Sequence, residues 1–434
     1  MIEKNNKKTI RSWAFFDWAN SAYNLVITST IFPAYYTIIT TTKEFGDKVS
    51  FFGHTFTNTA LSNYALSFAY LVMVIALPVL SSIADNRGNK KFFMKFFTYM
   101  GGIACAGLFF FKLETLETGI ICFMLAAMGY IGGVLFNNSY LPQIATEDQQ
   151  DRVSAQGFSY GYVGSVLLQL ICFLFVLKPE WFGISDASLP ARISFLLVGI
   201  WWIGFAQIPF ANLPSEKKTY VSDKNIIEEG FRELKKVWLK LKQMPRLKYF
   251  LTSFFFYSMG VQTIMLAAAG FAEKTLKLGT AKLIAIILII QLVAIPGSML
   301  MSRLSTKMGN VKVLIFVVII WIGVCVGGYY IQNEYQFYAL AAVVGLVMGG
   351  IQSLSRSTYS KFLPSDSNDT TSFFSFYDVT EKLAIVIGLF SFAYIEEVTG
   401  NIRYSIFALA GFFIIGMIFL FILHKIEKKA IANA

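Results

Sequence analysis

The chain has 434 residues and a formal net charge of +11, and it is 56% hydrophobic but only 15% charged. Because soluble globular domains carry about 25% charged residues, this composition excludes an ordinary soluble enzyme. The positive charge lies in particular loops between hydrophobic stretches, which also argues against a nucleic-acid-binding protein.

Long apolar windows predict about twelve membrane-spanning helices, since about 20 apolar residues cross the hydrocarbon core of a bilayer. In the first half the predicted spans are Ser12–Thr40, Ala60–Ser82, Phe92–Phe111, Gly119–Tyr140, Val153–Leu177 and Arg192–Leu213. In the second half they are Tyr249–Ala272, Lys282–Met301, Val311–Ile331, Gln336–Ser355, Thr371–Ile395 and Tyr404–His424. We therefore expect an all-α, multi-pass integral membrane protein, monomeric in the lipid bilayer of a bacterial inner membrane.

The basic residues predict the orientation of the chain. Most of the 37 lysines and arginines fall in alternate connections between spans, including the segments before the first span and after the twelfth. Connections rich in Lys and Arg stay in the cytoplasm, so both termini are predicted to be cytoplasmic.

The first span carries a polar stripe. Asp17, Asn20, Ser21, Asn24 and Thr28 have the spacing of one helical face. Asn24 lies about 18 Å from the start of the span, near mid-membrane. Such a stripe predicts a helix that lines an aqueous cavity, with Asn20 and Asn24 contacting substrate and Asp17 in coupling or gating. For Asp17 the alternative is a structural contact that pins a neighbouring helix end.

A charged signature follows the second span at Ser81–Lys90 and recurs in degraded form at Ser302–Asn310, about half the chain later. It resembles the loop signature of the major facilitator superfamily, which implies two parallel halves that form pseudo-symmetric six-helix bundles. We expect Asp85 to act as a gating latch by contacting a basic side chain or a helix N-terminus. The second copy has Thr306 in place of the acid, which predicts a weaker latch.

The fourth and tenth spans share a sequence pattern. Each has a glycine cluster, Gly129–Gly133 or Gly345–Gly350, and each cluster is followed by polar residues. Paired glycines let helices approach closely. From the polar residues we select Asn138 and Gln352 as substrate-binding candidates, and Arg356 as a gate or anchor.

The longest polar interruption divides the chain into two bundles, residues 1–213 and 249–434, with a linker at 214–248. An apolar stripe within the linker predicts an amphipathic helix on the inner membrane face, with lysines near anionic head groups. The stripe consists of Ile227, Phe231, Leu234, Trp238 and Leu241. A simple tether is the alternative.

The eleventh span carries Tyr377, Asp378, Glu381 and Lys382 near the membrane midplane. Asp378 and Lys382 are spaced i and i+4, so an ion pair between them is expected. The cluster predicts either a site for a charged solute or a coupling proton, with Tyr377 and Lys382 in binding and the two acids in coupling. The alternative is a neutralised structural network. No nucleotide-binding, hydrolase or metal motif occurs in the sequence, so no enzyme, cofactor or metal site is expected.

Several segments resemble the autophagy-related vacuolar effluxer-like permeases, a subgroup of the major facilitator superfamily. The matching segments are Trp13–Tyr23, Asn138–Pro142, Arg152–Phe158, Gly349–Ser357 and Phe373–Tyr377. Lys382 matches a lysine common in that family, whereas Asp378 and Glu381 replace small or hydroxyl residues. The resemblance implies a twelve-helix permease, and its fungal members are linked to amino acid export.

These observations predict a secondary transporter that moves a small polar solute by alternating access. Amino acids are the expected substrate, and export is expected to be coupled to protons. A lipophilic drug or lipid exporter and a non-transporting membrane sensor or scaffold are the alternatives.

Overall fold

The computed structural model describes residues 3–43, 46–215, 226–364 and 369–432. Its first half contains α1 (Lys7–Ala22), a π-helix (Tyr23–Ile31), α2 (Phe32–Thr40), α3 (Asn58–Arg87), α4 (Lys90–Gly107), α5 (Leu116–Asn138), α6 (Leu141–Ile144), α7 (Gln150–Leu177) and α8 (Leu189–Asn212). A linker helix α9 (Ile226–Gln243) precedes α10 (Pro245–Leu276), α11 (Thr280–Met308), α12 (Asn310–Tyr330), α13 (Glu334–Lys361), α14 (Thr370–Thr399) and α15 (Ile402–Ala432).

Among the described residues, ten helical segments are long and apolar enough to cross a membrane. Two further spans complete the predicted twelve. One is the continuous run α1, π-helix and α2, and the other is α14, whose middle carries Asp378, Glu381 and Lys382. Most helices extend beyond the predicted limits. The sequence did not predict the hairpin of β1 (Lys48–Phe51) and β2 (His54–Thr57), which pair antiparallel between α2 and α3.

The spans bury their apolar side chains in two clusters. One comes from residues 13–213, and the other from residues 237–423 together with Tyr162. Close helix crossings at glycines occur in both halves. A Cβ on Gly129 would lie 2.5 Å from the backbone nitrogen of Gly101, and Gly297 and Gly349 meet the backbone of the facing helix as tightly. The predicted packing role of the paired glycines fits this geometry.

The two signature segments are helical, whereas the sequence predicted loops. Ser81–Arg87 forms the end of α3, and the chain turns at Gly88 with φ of 61°. The degraded copy forms the end of α11 and turns at Gly309 with φ of 86°. Both turns need a positive φ that glycine adopts at little cost. We call the side of the molecule with these two turns and both described chain ends the terminal face.

The halves meet through α3 against α14 and through α7 against α11 and α13. The linker helix α9 packs on α3, α10 and α14, and so contacts both halves at the terminal face. Its apolar stripe is divided: Leu241 is buried and Leu234 half-buried, while Phe231 and Trp238 are exposed. The side chain of Ile227 lies outside the described residues.

Candidate functional site

A cavity of about 150 Å³ lies between the halves. Its wall is built by α1 and the π-helix, α3, α5 and α7 from the first half, and by α10, α13 and α14 from the second. All of the predicted site residues except Asp85 line it, namely Asp17, Asn20, Asn24, Asn138, Gln352, Arg356, Tyr377, Asp378, Glu381 and Lys382. The sequence alone could not show that these residues, distributed over both halves, face the same space.

Arg356 is the centre of the contacts on the terminal side of this cavity. Its guanidinium donates to Asp17 Oδ2 at 2.9 Å, to Asn138 Oδ1 at 3.1 Å, and to both the hydroxyl and the carbonyl oxygen of Ser154. The rings of Trp13 and Phe158 lie 4.6 and 4.2 Å from its central carbon. Arg356 is only 2% exposed, so it is a buried link between the halves rather than a surface anchor.

Gly157 on α7 makes room for this link. A Cβ at Gly157 would lie 2.5 Å from Asp17 Oδ2 and 2.8 Å from an Arg356 guanidinium nitrogen. Those distances are shorter than van der Waals contact, so a larger residue would push the ion pair apart. Asp17 thus contacts Arg356 across the two halves, which is compatible with both roles predicted for it, coupling or gating and a structural contact.

The predicted ion pair between Asp378 and Lys382 is not formed in the described structure. Lys382 Nζ instead contacts Glu381 Oε2 at 2.6 Å, and Gln262 donates to Glu381 Oε1 at 2.9 Å. The i to i+4 spacing allows a pair, but Lys382 turns to the adjacent acid, which is also held by α10. Asp378 is 2% exposed and lines the cavity, and its Oδ2 has no hydrogen-bond partner within the described chain.

The π-helix changes the polar stripe of the first span. Ser29 and Thr30 donate to carbonyls five residues earlier, those of Asn24 and Leu25. This wider winding shifts the register by one residue, so Ser29 lines the cavity and the predicted Thr28 does not. Asn20, one turn before the π-helix, is 1% exposed, and its Nδ2 lacks a partner in the part of the chain that is described.

Sequence reasoning missed much of the remaining wall. Tyr70, Tyr130, Tyr257, Gln262 and Phe254 line the cavity. Tyr257 shares a hydrogen bond of 2.7 Å with Ser355, and Phe254 stacks on Tyr377 with ring centroids 4.2 Å apart. Aromatic residues are frequent throughout this chain, so a tyrosine in a span gave no signal of its own. Over the described ranges no three His, Cys, Asp or Glu side chains meet in a way that could hold a metal ion.

Asp85 lies apart from the cavity, at the terminal face. It accepts from the backbone N–H groups of Thr371 and Ser372 at 3.2 and 2.7 Å, and from the Ser372 hydroxyl at 2.8 Å. These donors form the N-terminus of α14, where the helix dipole favours a negative charge. The contact is one of the two that the sequence predicted for this acid, and we call it the first latch.

A second latch lies across the pseudo-symmetry axis, and it also contains an acid. Asp151, at the start of α7, accepts from the Ser305 hydroxyl at 2.8 Å, from Asn310 Nδ2 at 2.7 Å and from Lys361 Nζ at 2.7 Å. The reason for expecting a weaker second latch, the missing acid, therefore does not apply to this site, while the relative strength of the two latches stays a prediction. Thr306 does replace the acid on α11, but the facing helix α7 supplies a carboxylate instead. In the first latch the facing helix, α14, supplies the donors.

The model for the family "Vacuole effluxer Atg22 like" matches residues 5–433 of the chain. YxiO, a transporter of the major facilitator type from Bacillus subtilis, is 30% identical over 419 residues, which cover 96% of this chain and 95% of the relative. Autophagy-related protein 22 of Kluyveromyces lactis is 25% identical over 476 residues, with coverage of 96% and 93%.

Solved structures show the same fold. The human organic anion transporter MFSD10 aligns with a TM-score of 0.73 at 9% identity, over 96% of this chain and 100% of that one. The transporter FucP in its outward conformation aligns with a TM-score of 0.67 at 12% identity, over 96% and 98%. At such low identity the structural similarity shows the fold alone. It confirms the predicted major facilitator architecture of twelve helices in two six-helix bundles.

Proposed function

This chain belongs to the Atg22-like vacuole effluxer family of major facilitator transporters, and on that premise we propose that it moves amino acids or similar small zwitterions through the central cavity. The observation that carries the proposal is the composition of that cavity. Five ionisable side chains of both signs line it, Asp17, Arg356, Asp378, Glu381 and Lys382, together with the amides of Asn20 and Gln352. Groups this polar are costly at membrane depth and typically mark a solute or ion path.

The route is alternating access between the two bundles. The Arg356 link and the two latches cross the interface between the halves on the terminal side of the cavity, which supports a gate on that side. Opening of that side requires that the carboxylates of Asp85 and Asp151 leave their donors. The solute then passes between the bundles while the apolar cluster within each bundle stays packed.

We assign the terminal face to the cytoplasm, because the basic connections lie there. The exposed Phe231 and Trp238 of α9 suit the interface of a bilayer, and the exposed Lys235 and Lys242 suit its anionic head groups. Export coupled to protons completes the proposal, with Asp378 and Glu381 as the proton carriers in the membrane.

A binding screen tests the substrate class. Purified protein in detergent is heated with amino acids, dipeptides, sugars, nucleosides or lipophilic cations. A ligand at 100 times its dissociation constant stabilises the folded state by about 2.7 kcal/mol, so amino acids are expected to raise the melting temperature. The Lys382→Ala variant is expected to lose this response, because the cavity then holds three acids and one base, and the added negative charge repels the solute carboxylate.

Lys274→Ala is the matched control for that variant. Lys274 also pairs with a glutamate, Glu396, at 2.7 Å, but its side chain is 63% exposed and lies outside the cavity. Its response to amino acids is expected to match the wild type. Stabilisation by lipophilic cations alone would replace the amino acid proposal with a drug or lipid exporter.

A further inference from the structure

The cavity contains one more acid than base, and the structure identifies which acid is left over. Of the three acids, Asp17 is held by Arg356 at 2.9 Å and Glu381 by Lys382 at 2.6 Å. Asp378 remains. It is 2% exposed, it lines the cavity, and its Oδ2 has no hydrogen-bond partner among the described residues. A buried carboxylate of this kind is stabilised by a bound proton or by a cationic partner from outside the chain, and the two compete for the same oxygen atoms.

We propose that Asp378 is the subsite for a primary ammonium group, and that this cavity selects its solutes for an amine rather than for a carboxylate. The inference rests on the proposed function and sharpens it. Three acids line the cavity and could face an ammonium group, namely Asp17, Glu381 and Asp378. The first two have their own cations, so the choice falls on Asp378.

The two cationic side chains of the cavity, Arg356 and Lys382, are each paired with an acid. Arg356 already donates to Asp17, Asn138 and Ser154 and lies between two rings. Lys382 is engaged by Glu381. Each cation is already neutralised by an acid of the same cavity, so neither offers a solute carboxylate an unpaired positive charge. Among the neutral donors of the wall, the side-chain amide of Asn20 is buried without a partner in the described chain, and a neutral donor makes a weaker bond to a carboxylate than a charged one.

The walls suit an organic ammonium. Phe254, Tyr257 and Tyr377 line the same cavity as Asp378, and aromatic faces attract cations. The rest of the wall includes Val261, Leu266 and Ile385, which can take an apolar substituent. A primary amine that lacks a carboxylate therefore keeps its main contacts here, whereas a carboxylic acid that lacks the amine loses its only charged partner.

The test compares three forms of one carbon skeleton. Binding to the wild-type protein is measured calorimetrically for L-leucine, isoamylamine and 4-methylpentanoate, and for L-phenylalanine, phenethylamine and 3-phenylpropionate. We expect the amine to bind within about 10-fold of the amino acid and the acid to bind at least about 10-fold more weakly, since a charged hydrogen bond is lost. In Asp378→Asn the affinity for the amines is expected to fall by a similar factor, while Glu396→Gln, which removes an acid outside the cavity, leaves it unchanged.

Each result decides a different claim. Binding of the amino acids and acids without the amines overturns the ammonium subsite and leaves the proposed function standing. Binding of the amines alone supports the subsite and removes amino acids as substrates. If none of the six compounds binds, both claims fail. The wild-type series decides the question even if Asp378→Asn does not fold.

Discussion

Replacement of Arg356 by alanine is expected to destabilise the folded protein by about 3–5 kcal/mol, because Asp17 is then buried without its charged partner. The Arg356 and Asp17 side chains are only 3% and 10% exposed, so the unpaired carboxylate stays largely buried. Transport is expected to fall as well, since the link spans the two halves beside the cavity. Unfolding midpoints in detergent measure the first effect, and uptake into liposomes measures the second.

A double-mutant cycle with Asp17→Asn isolates the ion pair. The double variant Asp17→Asn with Arg356→Ala is expected to be more stable than Arg356→Ala alone, because no unpaired charge remains. Arg192→Ala is the matched control: Arg192 also lies over a ring, that of Phe109, but contacts only its own half. If the losses of stability caused by Arg356→Ala and Asp17→Asn simply add in the double variant, the predicted ion-pair energy is contradicted. The losses caused by Arg192→Ala and Asp17→Asn are expected to add.

Replacement of the latch acids is expected to open the terminal face. Asp85→Asn and Asp151→Asn each weaken charge-assisted hydrogen bonds worth about 1.5–3 kcal/mol, which changes the ratio of closed to open molecules by about 10- to 100-fold. The direction follows from the contacts, because both acids accept hydrogen bonds from the other half and these must break when the halves separate at this face. We expect the two effects to be comparable, since each carboxylate accepts three hydrogen bonds.

Labelling of a buried cysteine measures the opening. Ser139 is fully buried at the terminal face, 3.4 Å from the Thr371 hydroxyl across the interface. In Ser139→Cys a maleimide added from the terminal side is expected to react faster once Asp85 or Asp151 is changed. Thr306→Ala is the control, because Thr306 is exposed and bonds only within α11. Labelling as slow in Asp151→Asn as in the control would show that the second latch does not hold the face closed.

The sequence was sufficient to predict the membrane spans, the division into two halves and the polar residues within the spans, because each of these depends on local composition. Apolar runs of about 20 residues predict membrane helices regardless of their partners. Charges at membrane depth are costly enough that Asp17, Arg356, Asp378, Glu381 and Lys382 could be selected without a structure. The segments that resemble the effluxer family, such as Asp17–Ser21, led to a family assignment that the comparison confirms.

The pairing of those charges could not be predicted from the sequence. The Arg356 link joins residues 339 positions apart, and Lys382 chooses between two acids that are both within reach. The second latch was missed because its acid, Asp151, lies on the helix that faces the signature rather than in it. The π-helix was missed because its apolar and polar residues match an α-helix equally well, and it displaced Thr28 from the cavity in favour of Ser29.

The exchange of roles between the latches has a structural consequence. In the first latch, α3 supplies the acid and α14 supplies the donors. In the second latch, α7 supplies the acid, and the donors come from α11, Asn310 and Lys361. The two sites are related by the pseudo-symmetry of the halves, with Asp151 and Thr371 each the second residue of its helix. The first half therefore contributes both acids and the second half all of the donors, so the halves cannot separate at this face without breaking both sets of contacts.

Solute counterflow tests the central claim most directly, namely that the cavity between the halves carries amino acids across the membrane. Liposomes that contain the purified protein are loaded with an unlabelled mixture of the twenty L-amino acids and diluted into a trace of the same mixture with a radioactive label. The wild-type protein is expected to accumulate label transiently above its equilibrium level, and Arg356→Ala is not. Accumulation by the wild type no greater than in protein-free liposomes would contradict the account.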